Sequence, residues 1–581
     1  MCRTRAASTP PRQGESMVGN GATTTGTTDR RGFFKAGGLG AAAILSGDAL
    51  PHISEDGMAL AAEMQGAAPL ATTTAGKVRG FVDRGIMCFK GIPYGASTGG
   101  PARFLPPRPA EPWLGVRKAS SFGDSAAQTP IDDRGLFRSW DSWVSTTPMS
   151  ENCLVLNIWT PGLRDGVKRP VMVYFHGGAY SNYSASRTVF NGANLSRNGD
   201  TVIVTINHRL NAFGYMYLGH LDSRFADSGN AGTLDTIQSL IWVRDNIAEF
   251  GGDPGNVTIF GQSGGGGKVN MLLAAPAARG LFHKAIVQSG PMLTGQTPEE
   301  AAERANRLLG FMDIAPKDVG RLQEIPWMTM VKAMEKSGMA VLFGPVIDGR
   351  TLPRHPWKPD APAVSADIPL MVGTAATETT QLIGAGSGAD QSIFNLDEAG
   401  LRTKLADYMP PEAVEPVLRV FRRHRPKATP SDLFFLITSL QQFGRAAANQ
   451  VALKARQRSA PVYLYEIMWQ TPVDGGKWRA SHSIEHGLVW NNVDVSESFY
   501  GKGSDAQLVA DQMSPTWLSF ARTGNPNNPA IPTWPPYTEH DRAAMLFDAR
   551  SKVVRNLNSE EIAVLAKYPA LRPTRTGPVR Q

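Results

Sequence analysis

Three short apolar runs constrain the fold of this chain more than any other feature of its sequence. They are Pro170–Phe175, Thr201–Asn207 and Asn256–Phe260. Their hydrophobicity is continuous rather than alternating, which is typical of parallel strands buried on both faces of a sheet. Between the second and third runs, residues 232–250 carry apolar side chains at helical spacing and are followed by two glycines. Strand, helix and strand in this order predict a right-handed crossover and an open, mostly parallel α/β sheet.

Later parts of the chain extend the same pattern. Apolar runs at Leu370–Gly373 and Val462–Ile467 predict further strands of the same sheet. The chain has 581 residues, and α/β enzymes built on one large sheet often exceed the usual domain size. Residues 93–112 are rich in proline and glycine and predict a long loop. We therefore expect one large domain over residues 62–581.

The first sixty residues have the organisation of an export signal. Arg30 and Arg31 precede two phenylalanines and a lysine, and the uncharged run Ala36–Gly47 follows. This run is too short to cross a hydrocarbon core of about 30 Å as a helix. Ala59-Leu60-Ala61 fits a small-x-small cleavage site. The segment resembles a twin-arginine signal, and the alternative is a disordered basic tail with a chance arginine pair.

This resemblance implies a destination and a partner. Residues 1–61 are expected to be the signal and a disordered N-terminus, read by the twin-arginine export machinery. The mature protein is expected in the periplasm or outside the cell. No other stretch is long and apolar enough to predict a membrane span.

Charge and cysteine content argue against several other classes of protein. The formal net charge is +8, but lysine and arginine are spread along the whole chain. This distribution favours an ordinary solvated surface over nucleic-acid binding. The three cysteines, Cys2, Cys88 and Cys153, provide no disulfide framework and no zinc-type spacing. No metal or cofactor is expected.

A glycine-flanked serine follows the third apolar run directly. Gly261-Gln262-Ser263-Gly264-Gly265 precedes the helix-compatible stretch Lys268–Ala275. On a tight turn between strand and helix, flanking glycines relieve steric clashes, and the helix N-terminus favours developing negative charge. Ser263 is therefore predicted to be a nucleophile that needs a neighbouring base. The alternative is a glycine-rich connector. A phosphate loop is rejected because Lys268-Val269 lacks the Lys-Ser/Thr pair in register.

Several motifs in chain order resemble those of the type B carboxylesterases, the family that includes cholinesterases and bacterial para-nitrobenzyl esterases. They are Phe89–Tyr94, Glu151–Trp159, Asn207–Gly214, Phe250–Gly265, Phe343–Gly349 and Ala521–Pro526. The resemblance covers nearly all of residues 75–550 and is closest in pattern to the para-nitrobenzyl esterases. It implies an α/β-hydrolase fold, with a mostly parallel central sheet flanked by helices. It also implies hydrolysis of carboxylic esters through an acyl-enzyme.

The resemblance also implies an oxyanion hole. His176-Gly177-Gly178-Ala179 follows its strand and resembles the family's His-Gly-Gly-Gly/Ala loop. Carried over to this chain, the backbone N–H groups of Gly178, Ala179 and Gly264 would bind the tetrahedral oxygen. The alternative is a plain tight turn after a strand. His176 is expected to be structural.

For the base, the fold requires a histidine after the serine and the acid. The candidates are His424, His482, His486 and His540. His424 lies among arginines, which disfavour its imidazolium form, and His540 lies in a polar loop. The stretch around His482 resembles the family's catalytic histidine, with an acidic residue, Glu485, three places on. His482 is therefore expected to be the base, and His486 to be structural.

For the acid, the turn Gly373–Glu378 resembles one that ends on the family's catalytic glutamate. Glu378 is accordingly expected to orient the histidine, although Ala375, Thr377 and Thr379 depart from the pattern. Asp348 and Asp390 are the alternative acids.

Other departures from the family pattern bear on the substrate. Gln262 stands where relatives often carry a glutamate that helps to bind cations, so choline esters are not expected. A neutral, fairly apolar small-molecule ester is the expected substrate. Trp140 and Trp143 are either gorge walls or core, and Cys153, which lacks the family's disulfide partner, is expected to be a buried free thiol. The competing functions are a binding protein of the same fold and a lipase with a mobile lid.

Overall fold

The computed structural model describes residues 68–130, 147–290, 292–385 and 389–569. All of them belong to the second of the two units into which the chain divides, Ala67–Gln581. The first unit, Met1–Gly66, contains the predicted export signal and lies outside the described residues. Trp140 and Trp143 also lie outside them.

One large sheet dominates the described part of the chain. The strands are β1 (Leu70–Thr73), β2 (Gly76–Arg79), β3 (Phe81–Asp83), β4 (Ile86–Pro93), β5 (Val116–Lys118), β6 (Ser125–Ala126), β7 (Met149–Ser150), β8 (Val155–Thr160), β9 (Arg169–Phe175), β10 (Val202–Ile206), β11 (Gly252–Gln262), β12 (Lys284–Gln288), β13 (Leu370–Ala375), β14 (Val462–Ile467), β15 (Ala543–Phe547) and β16 (Lys552–Arg555). Eleven of them form a sheet in the order β16-β15-β14-β13-β12-β11-β9-β10-β8-β4-β3.

The sheet is parallel through its centre and antiparallel at its edges. Every pair from β15 to β10 is parallel. On one side β16 pairs antiparallel to β15, and on the other β8, β4 and β3 add antiparallel strands. The predicted α/β fold with a mostly parallel sheet is confirmed.

Helices connect the strands and cover both faces of the sheet. The α-helices are Ala193–Gly199, Asn211–Tyr215, Ala231–Asn246, Gly264–Ala274, Pro298–Phe311, Trp327–Ser337, Thr379–Gly384, Glu398–Leu405, Pro411–His424, Pro430–Ser439, Arg445–Gln457, Glu485–Trp490, Glu497–Tyr500, Ser504–Thr523 and Ser559–Leu565. Within the described residues, none of the helices is long and apolar enough to span a membrane.

Alternate residues of β9 enter different layers of the core, and this explains the continuous apolar runs. Val171 and Val173 belong to a cluster that includes residues of the helix Ala231–Asn246. Met172 belongs to a second cluster, with residues of the helix Ser504–Thr523. Because every side chain of residues 170–175 is buried, both faces of this part of β9 are apolar. Each fully buried large apolar side chain contributes about 1.5–3 kcal/mol.

The boundaries of two predicted elements differ from those observed. The helix predicted over residues 232–250 ends as an α-helix at Asn246, and its last turn, Ile247–Phe250, is a 3₁₀ helix. Gly251, at φ 74°, ends this turn in the left-handed conformation that glycine adopts easily. The following strand, β11, begins at Gly252, before its predicted start at Asn256. Its pairing with β9 is irregular between Gly252 and Val257.

Two helical insertions leave the sheet at the edge where Ser263 lies. The first, between β12 and β13, contains the helices Pro298–Phe311 and Trp327–Ser337. The second lies between β13 and β14. Ser263 follows the carboxyl end of β11. The first insertion begins at the carboxyl end of β12, which pairs parallel with β11, and the second at that of β13, which pairs parallel with β12. This edge is where ligands bind in open α/β sheets.

Candidate active site

Ser263 occupies a strained turn between β11 and the helix Gly264–Ala274, which we call the elbow helix. Its backbone has φ 58° and ψ −123°, a conformation that costs a non-glycine residue about 1–3 kcal/mol. The Ser263 N–H donates to the Gln288 carbonyl at 2.8 Å, which ties the turn to β12. A Cβ atom on Gly261 would lie 2.5 Å from the backbone of Gly265. The flanking glycines are therefore required by close backbone approach.

The predicted oxyanion residues meet at the start of the elbow helix. We call His176–Ala179 the glycine loop; Gly178 has φ 85° and Ala179 φ 53°. A Cβ atom on Gly264 would lie 2.0 Å from the Ala179 carbonyl oxygen, so the glycine loop and the elbow helix are in direct contact.

The N–H groups of these residues remain available. Within the described residues, the N–H groups of Gly178 and Ala179 donate to no acceptor. Gly264 is the first residue of its helix, where the N–H group has no intrahelical partner. A Cβ atom on Gly177 would lie 3.4 Å from Cβ of Ser263, so the glycine loop also reaches the serine. The site thus combines a serine hydroxyl with backbone N–H groups that are free to donate.

Glu378 and His482 form a buried hydrogen-bonded pair. Nδ1 of His482 donates to Oε2 of Glu378 at 2.5 Å, and the Glu378 side chain is fully buried. The other carboxylate oxygen accepts the Ala375 N–H at 2.8 Å. The side-chain amide of Gln262 lies 3.3 Å from Nε2 of His482. The tautomer that fits these contacts carries its proton on Nδ1, and its Nε2 lone pair is directed toward the residue preceding Ser263.

Two threonines, of which Thr377 departs from the family pattern, hold the Glu378 turn against the segment that carries His482. Thr377 donates twice to the Ala480 carbonyl, from its N–H at 3.1 Å and from its hydroxyl at 3.0 Å. The Thr380 hydroxyl donates to the Trp478 carbonyl at 2.8 Å. Because these bonds cross directly to the segment that carries His482, threonine side chains here fix the distance between Glu378 and the imidazole.

The two alternative acids are engaged elsewhere. Asp348 accepts the backbone N–H groups of Arg350 and Leu352, both at 3.0 Å, and so closes its own turn. Asp390 is about half exposed and pairs with Lys404 at 2.8 Å. The structure therefore places Glu378, and neither aspartate, against the His482 ring.

The other candidate histidines have structural or surface positions. His486 is buried edge-on against Phe190, and its Nε2 lies 3.2 Å from the Tyr174 hydroxyl. His424 is partly exposed and lies 3.3 Å from Glu560. His540 is exposed.

A second buried carboxyl group lies near the pair. Glu485 accepts the Ser289 hydroxyl at 2.9 Å. Burial and, next, the charge of Glu378 raise the pKa of Glu485 to about 7. A protonated Glu485 places no second negative charge beside Glu378. Sequence analysis used Glu485 only to locate His482, because its burial depends on tertiary packing.

Sequence analysis missed one aromatic neighbour of His482. The Phe443 ring centroid lies 5.3 Å from that of the imidazole. Phe443 belongs to a π-helical turn, Leu440–Gly444, between the helices Pro430–Ser439 and Arg445–Gln457. Such single π-turns are frequent at functional sites. Phe443 therefore forms an apolar wall beside the histidine.

The described cysteines are unsuited to catalysis. Cys88 and Cys153 are free and buried, which confirms the prediction for Cys153. Burial is the main cause that raises the pKa of both thiols, that of Cys88 to about 12. A thiol that stays protonated is a poor nucleophile.

Comparison with known proteins shows which family the chain resembles. A family model described as the carboxylesterase family matches residues 67–565. The para-nitrobenzyl esterase of Bacillus subtilis (strain 168) is 32% identical over 507 residues, which span 85% of this chain and 97% of the relative. The phenmedipham hydrolase of Pseudarthrobacter oxydans is 31% identical, over 84% of this chain and 97% of the relative.

Solved structures show the same relationship. The carboxylesterase of Geobacillus stearothermophilus has a TM-score of 0.74 and 36% identity, covering 85% of this chain and 99% of its own. A para-nitrobenzyl esterase structure has a TM-score of 0.73 and 31% identity, covering 86% and 99%. The chain therefore belongs to the carboxylesterase family, has the α/β-hydrolase fold and is a serine hydrolase of carboxylic esters.

Proposed function

We propose that this chain is an exported esterase of neutral, fairly apolar carboxylic esters, in which Ser263 is the nucleophile, His482 the general base and acid, and Glu378 the orienting acid. One observation carries the assignment of roles. The buried Glu378–His482 pair directs Nε2 toward the turn that holds Ser263 in its strained conformation. The same turn meets the free N–H groups of the glycine loop.

Acylation follows from this arrangement. The Ser263 hydroxyl oxygen attacks the ester carbonyl carbon while Nε2 of His482 accepts the hydroxyl proton. Nε2 has a single lone pair, so the Ser263 hydroxyl takes the place of the Gln262 amide at that atom. Glu378 keeps the proton on Nδ1 and stabilises the imidazolium. The imidazolium then gives its proton to the departing alcohol oxygen, which leaves the acyl group on Ser263.

The oxyanion is stabilised by donors already in place. The N–H groups of Gly178, Ala179 and Gly264 surround the position where negative charge develops, and each such donor lowers the barrier by about 2.7–4 kcal/mol. Deacylation repeats the sequence with water as the nucleophile, activated by His482. The free acid then leaves and Ser263 regains its proton.

The substrate class follows from the residue that precedes Ser263. Gln262 is neutral, and its amide lies against His482 Nε2. It offers no carboxylate to a cationic alcohol group. The neighbouring ring of Phe443 adds an apolar surface. Among the relatives are proteins named for the esters of nitrobenzyl alcohol and for phenmedipham. We infer a preference for uncharged esters.

We expect kcat/KM for p-nitrophenyl butyrate to exceed that for butyrylthiocholine by at least about tenfold. The reason is that the cationic substrate lacks one ionic contact, which is worth roughly 1.4 kcal/mol. Gln262→Glu should narrow this ratio by restoring a carboxylate beside the imidazole. Both substrates carry the same butyryl group, so the comparison varies the leaving group, which is neutral p-nitrophenol in one and cationic thiocholine in the other. A wild-type preference for the cationic ester would contradict the proposed substrate class. Faster turnover of long-chain esters at an interface would favour a lipase instead.

Export by the twin-arginine route is the remaining part of the proposal. It is supported by Arg30-Arg31, the uncharged run Ala36–Gly47 and the small-residue site at Ala59–Ala61. Twin-arginine export carries folded proteins. This route suits a chain whose described cysteines are both free and buried.

Replacing Arg30 and Arg31 together by lysine is expected to block export and leave uncleaved, folded enzyme inside the cell. The physical reason is that the receptor recognises the arginine pair itself, and lysine lacks the planar guanidinium group. Cell fractionation with an esterase assay measures the outcome. Lys35→Arg, four residues after Arg31, is the matched control and should be exported. Normal export of the double variant would show that another signal operates.

A further inference from the structure

Lys268 is a buried lysine behind the glycine loop. It lies on the elbow helix, its side chain is 2% exposed, and the reaction described above does not use it. Its Nζ donates to the His176 carbonyl at 3.0 Å and to the Ala179 carbonyl at 2.9 Å. These are the first and last carbonyl groups of the glycine loop. One side chain on the helix of the nucleophile thus connects both ends of the loop that carries the oxyanion donors.

The two inner carbonyl groups of the glycine loop are also held. Gly177 O accepts the His176 ring N–H at 2.9 Å, and Gly178 O accepts the N–H groups of Ser181 and Asn182. In a trans peptide the C=O and N–H groups point in opposite directions. Fixing the carbonyls of Gly177 and Gly178 therefore directs the N–H groups of Gly178 and Ala179 away from these partners. Lys268 binds the carbonyl groups of the two outer residues, His176 and Ala179. All four carbonyl groups of the glycine loop therefore accept hydrogen bonds.

The Ala179 carbonyl has a second neighbour that makes its position important. A Cβ atom on Gly264 would lie 2.0 Å from this carbonyl oxygen. The N–H group of Gly264 is the third predicted oxyanion donor. The bond from Lys268 therefore sets the distance between the glycine loop and the first N–H of the elbow helix. Ala179 keeps its left-handed φ of 53° in this contact, although it is not a glycine.

The Lys268 ammonium has no anionic partner among the described residues. It faces the Tyr180 ring at 5.3 Å, and the rings of His176 and His208 stack on each other at 4.9 Å. Burial and, next, the charge of Lys268 keep the pKa of both histidines well below the usual value. Burial alone lowers the pKa of Lys268 to about 7. A buried charge without an ionic partner destabilises the fold. Because this positive charge lies behind the oxyanion donors, it also stabilises the negative charge that develops there.

We propose that Lys268 is a positioning residue for the oxyanion hole: it fixes the glycine loop with its N–H groups toward the substrate, and its charge favours the tetrahedral oxyanion. The proposal rests on Ser263 as the nucleophile. It assigns to Lys268 no proton transfer with the substrate, because its N–H groups are directed at backbone carbonyls.

The test compares Lys268→Met with Lys454→Met. Lys454 is a matched control because it is also 2% exposed and donates to two backbone carbonyls, those of Ser365 and Ala366, at 2.8 Å each. We expect Lys268→Met to lower kcat by about 10–100-fold per titrated active site, with little change in KM, since one whole oxyanion donor is worth about 100–1,000-fold. Lys454→Met should keep kcat within about twofold.

A transition-state analogue provides a readout that loss of stability would not change. A trifluoromethyl ketone adds to the active-site serine and places an oxyanion in the hole. Its affinity for Lys268→Met should fall by the same factor as kcat/KM, and its affinity for Lys454→Met should not change. Thermal unfolding of both variants reports the structural cost separately.

The charge contributes only while Lys268 is protonated. Because its pKa lies at about 7, the ammonium is present below that pH and lost above it. The ratio of wild-type to Lys268→Met kcat should therefore narrow between about pH 6 and about pH 9, which spans this pKa. A ratio that stays constant would contradict the electrostatic part of the proposal.

Two results would overturn the positioning role. One is a Lys268→Met variant whose kcat per active site is unchanged and whose loss of thermal stability equals that of Lys454→Met. The other is an unchanged affinity for the ketone. Fluorophosphonate labelling separates this failure from failure of the proposed function. If Ser263 is labelled to completion in Lys268→Met and kcat is unchanged, only the role of Lys268 is wrong. If Ser263 is not labelled in the wild type, the nucleophile itself is wrong.

Discussion

Replacing Ser263 by alanine is expected to lower kcat for p-nitrophenyl butyrate by about a million-fold while leaving the fold intact, because no covalent acyl-enzyme can form. The elbow conformation supports this expectation, since a non-glycine residue at φ 58° is retained at a cost. A residual rate above that of water should survive, because the oxyanion donors still bind the substrate. Steady-state kinetics of the purified variant measures the loss.

Ser289→Ala is the matched control for this substitution. Ser289 also has a positive φ, 48°, and lies at the end of the neighbouring strand β12, but its hydroxyl donates to Glu485. Its loss should affect stability more than rate. A Ser263→Ala variant that retains more than a few per cent of the wild-type kcat would show that the nucleophile lies elsewhere.

Changing Glu378 to glutamine is expected to lower kcat by about ten-thousand-fold with the protein still folded. A neutral amide cannot stabilise the imidazolium, and it can present an N–H group to Nδ1 and favour the wrong tautomer. His482→Ala should cost at least as much. The double variant should be little worse than the worse single variant, because the members act as a unit. Kinetics of the three variants, with circular dichroism to confirm folding, provides the measurement.

The controls for Glu378 and His482 are other acidic and histidine residues that the structure places away from this pair. His486→Ala should cost far less than His482→Ala, because His486 packs against Phe190. Asp348→Asn and Asp390→Asn should leave kcat nearly unchanged, because these aspartates serve a local turn and a surface ion pair. Near-normal activity in Glu378→Gln, together with loss in either aspartate variant, would move the acid to that aspartate and leave the esterase activity in place.

The sheet could be predicted from the sequence because burial on both faces leaves a local signature. Residues 170–175 of β9 and 462–465 of β14 are buried at every position, and these stretches are continuously apolar. The elbow was predictable for a related reason. Gly264 is forced to be glycine by the backbone of Ala179, and this constraint is visible as a glycine cluster directly after a strand. Local steric requirements therefore appear in the sequence itself.

Features made by distant residues could not be predicted in this way. The partners of Lys268 lie about ninety positions earlier in the chain, so nothing beside Lys268 marks its bonds to the glycine loop. The π-helical turn that carries Phe443 interrupts a helical region without a proline or another local signal. The bonds from Thr377 to Ala480 likewise explain a departure from the family pattern only once the two loops are seen together.

Covalent labelling with a fluorophosphonate probe is the most direct test of the central claim that Ser263 is the catalytic nucleophile. The probe is attacked by an activated serine and remains attached to it. Intact-mass analysis of the wild-type protein should show one probe per chain, and peptide mapping should place it on Ser263, with activity lost in step. Ser263→Ala should remain unlabelled. A probe found on another residue, or full activity after complete labelling of Ser263, would contradict the account.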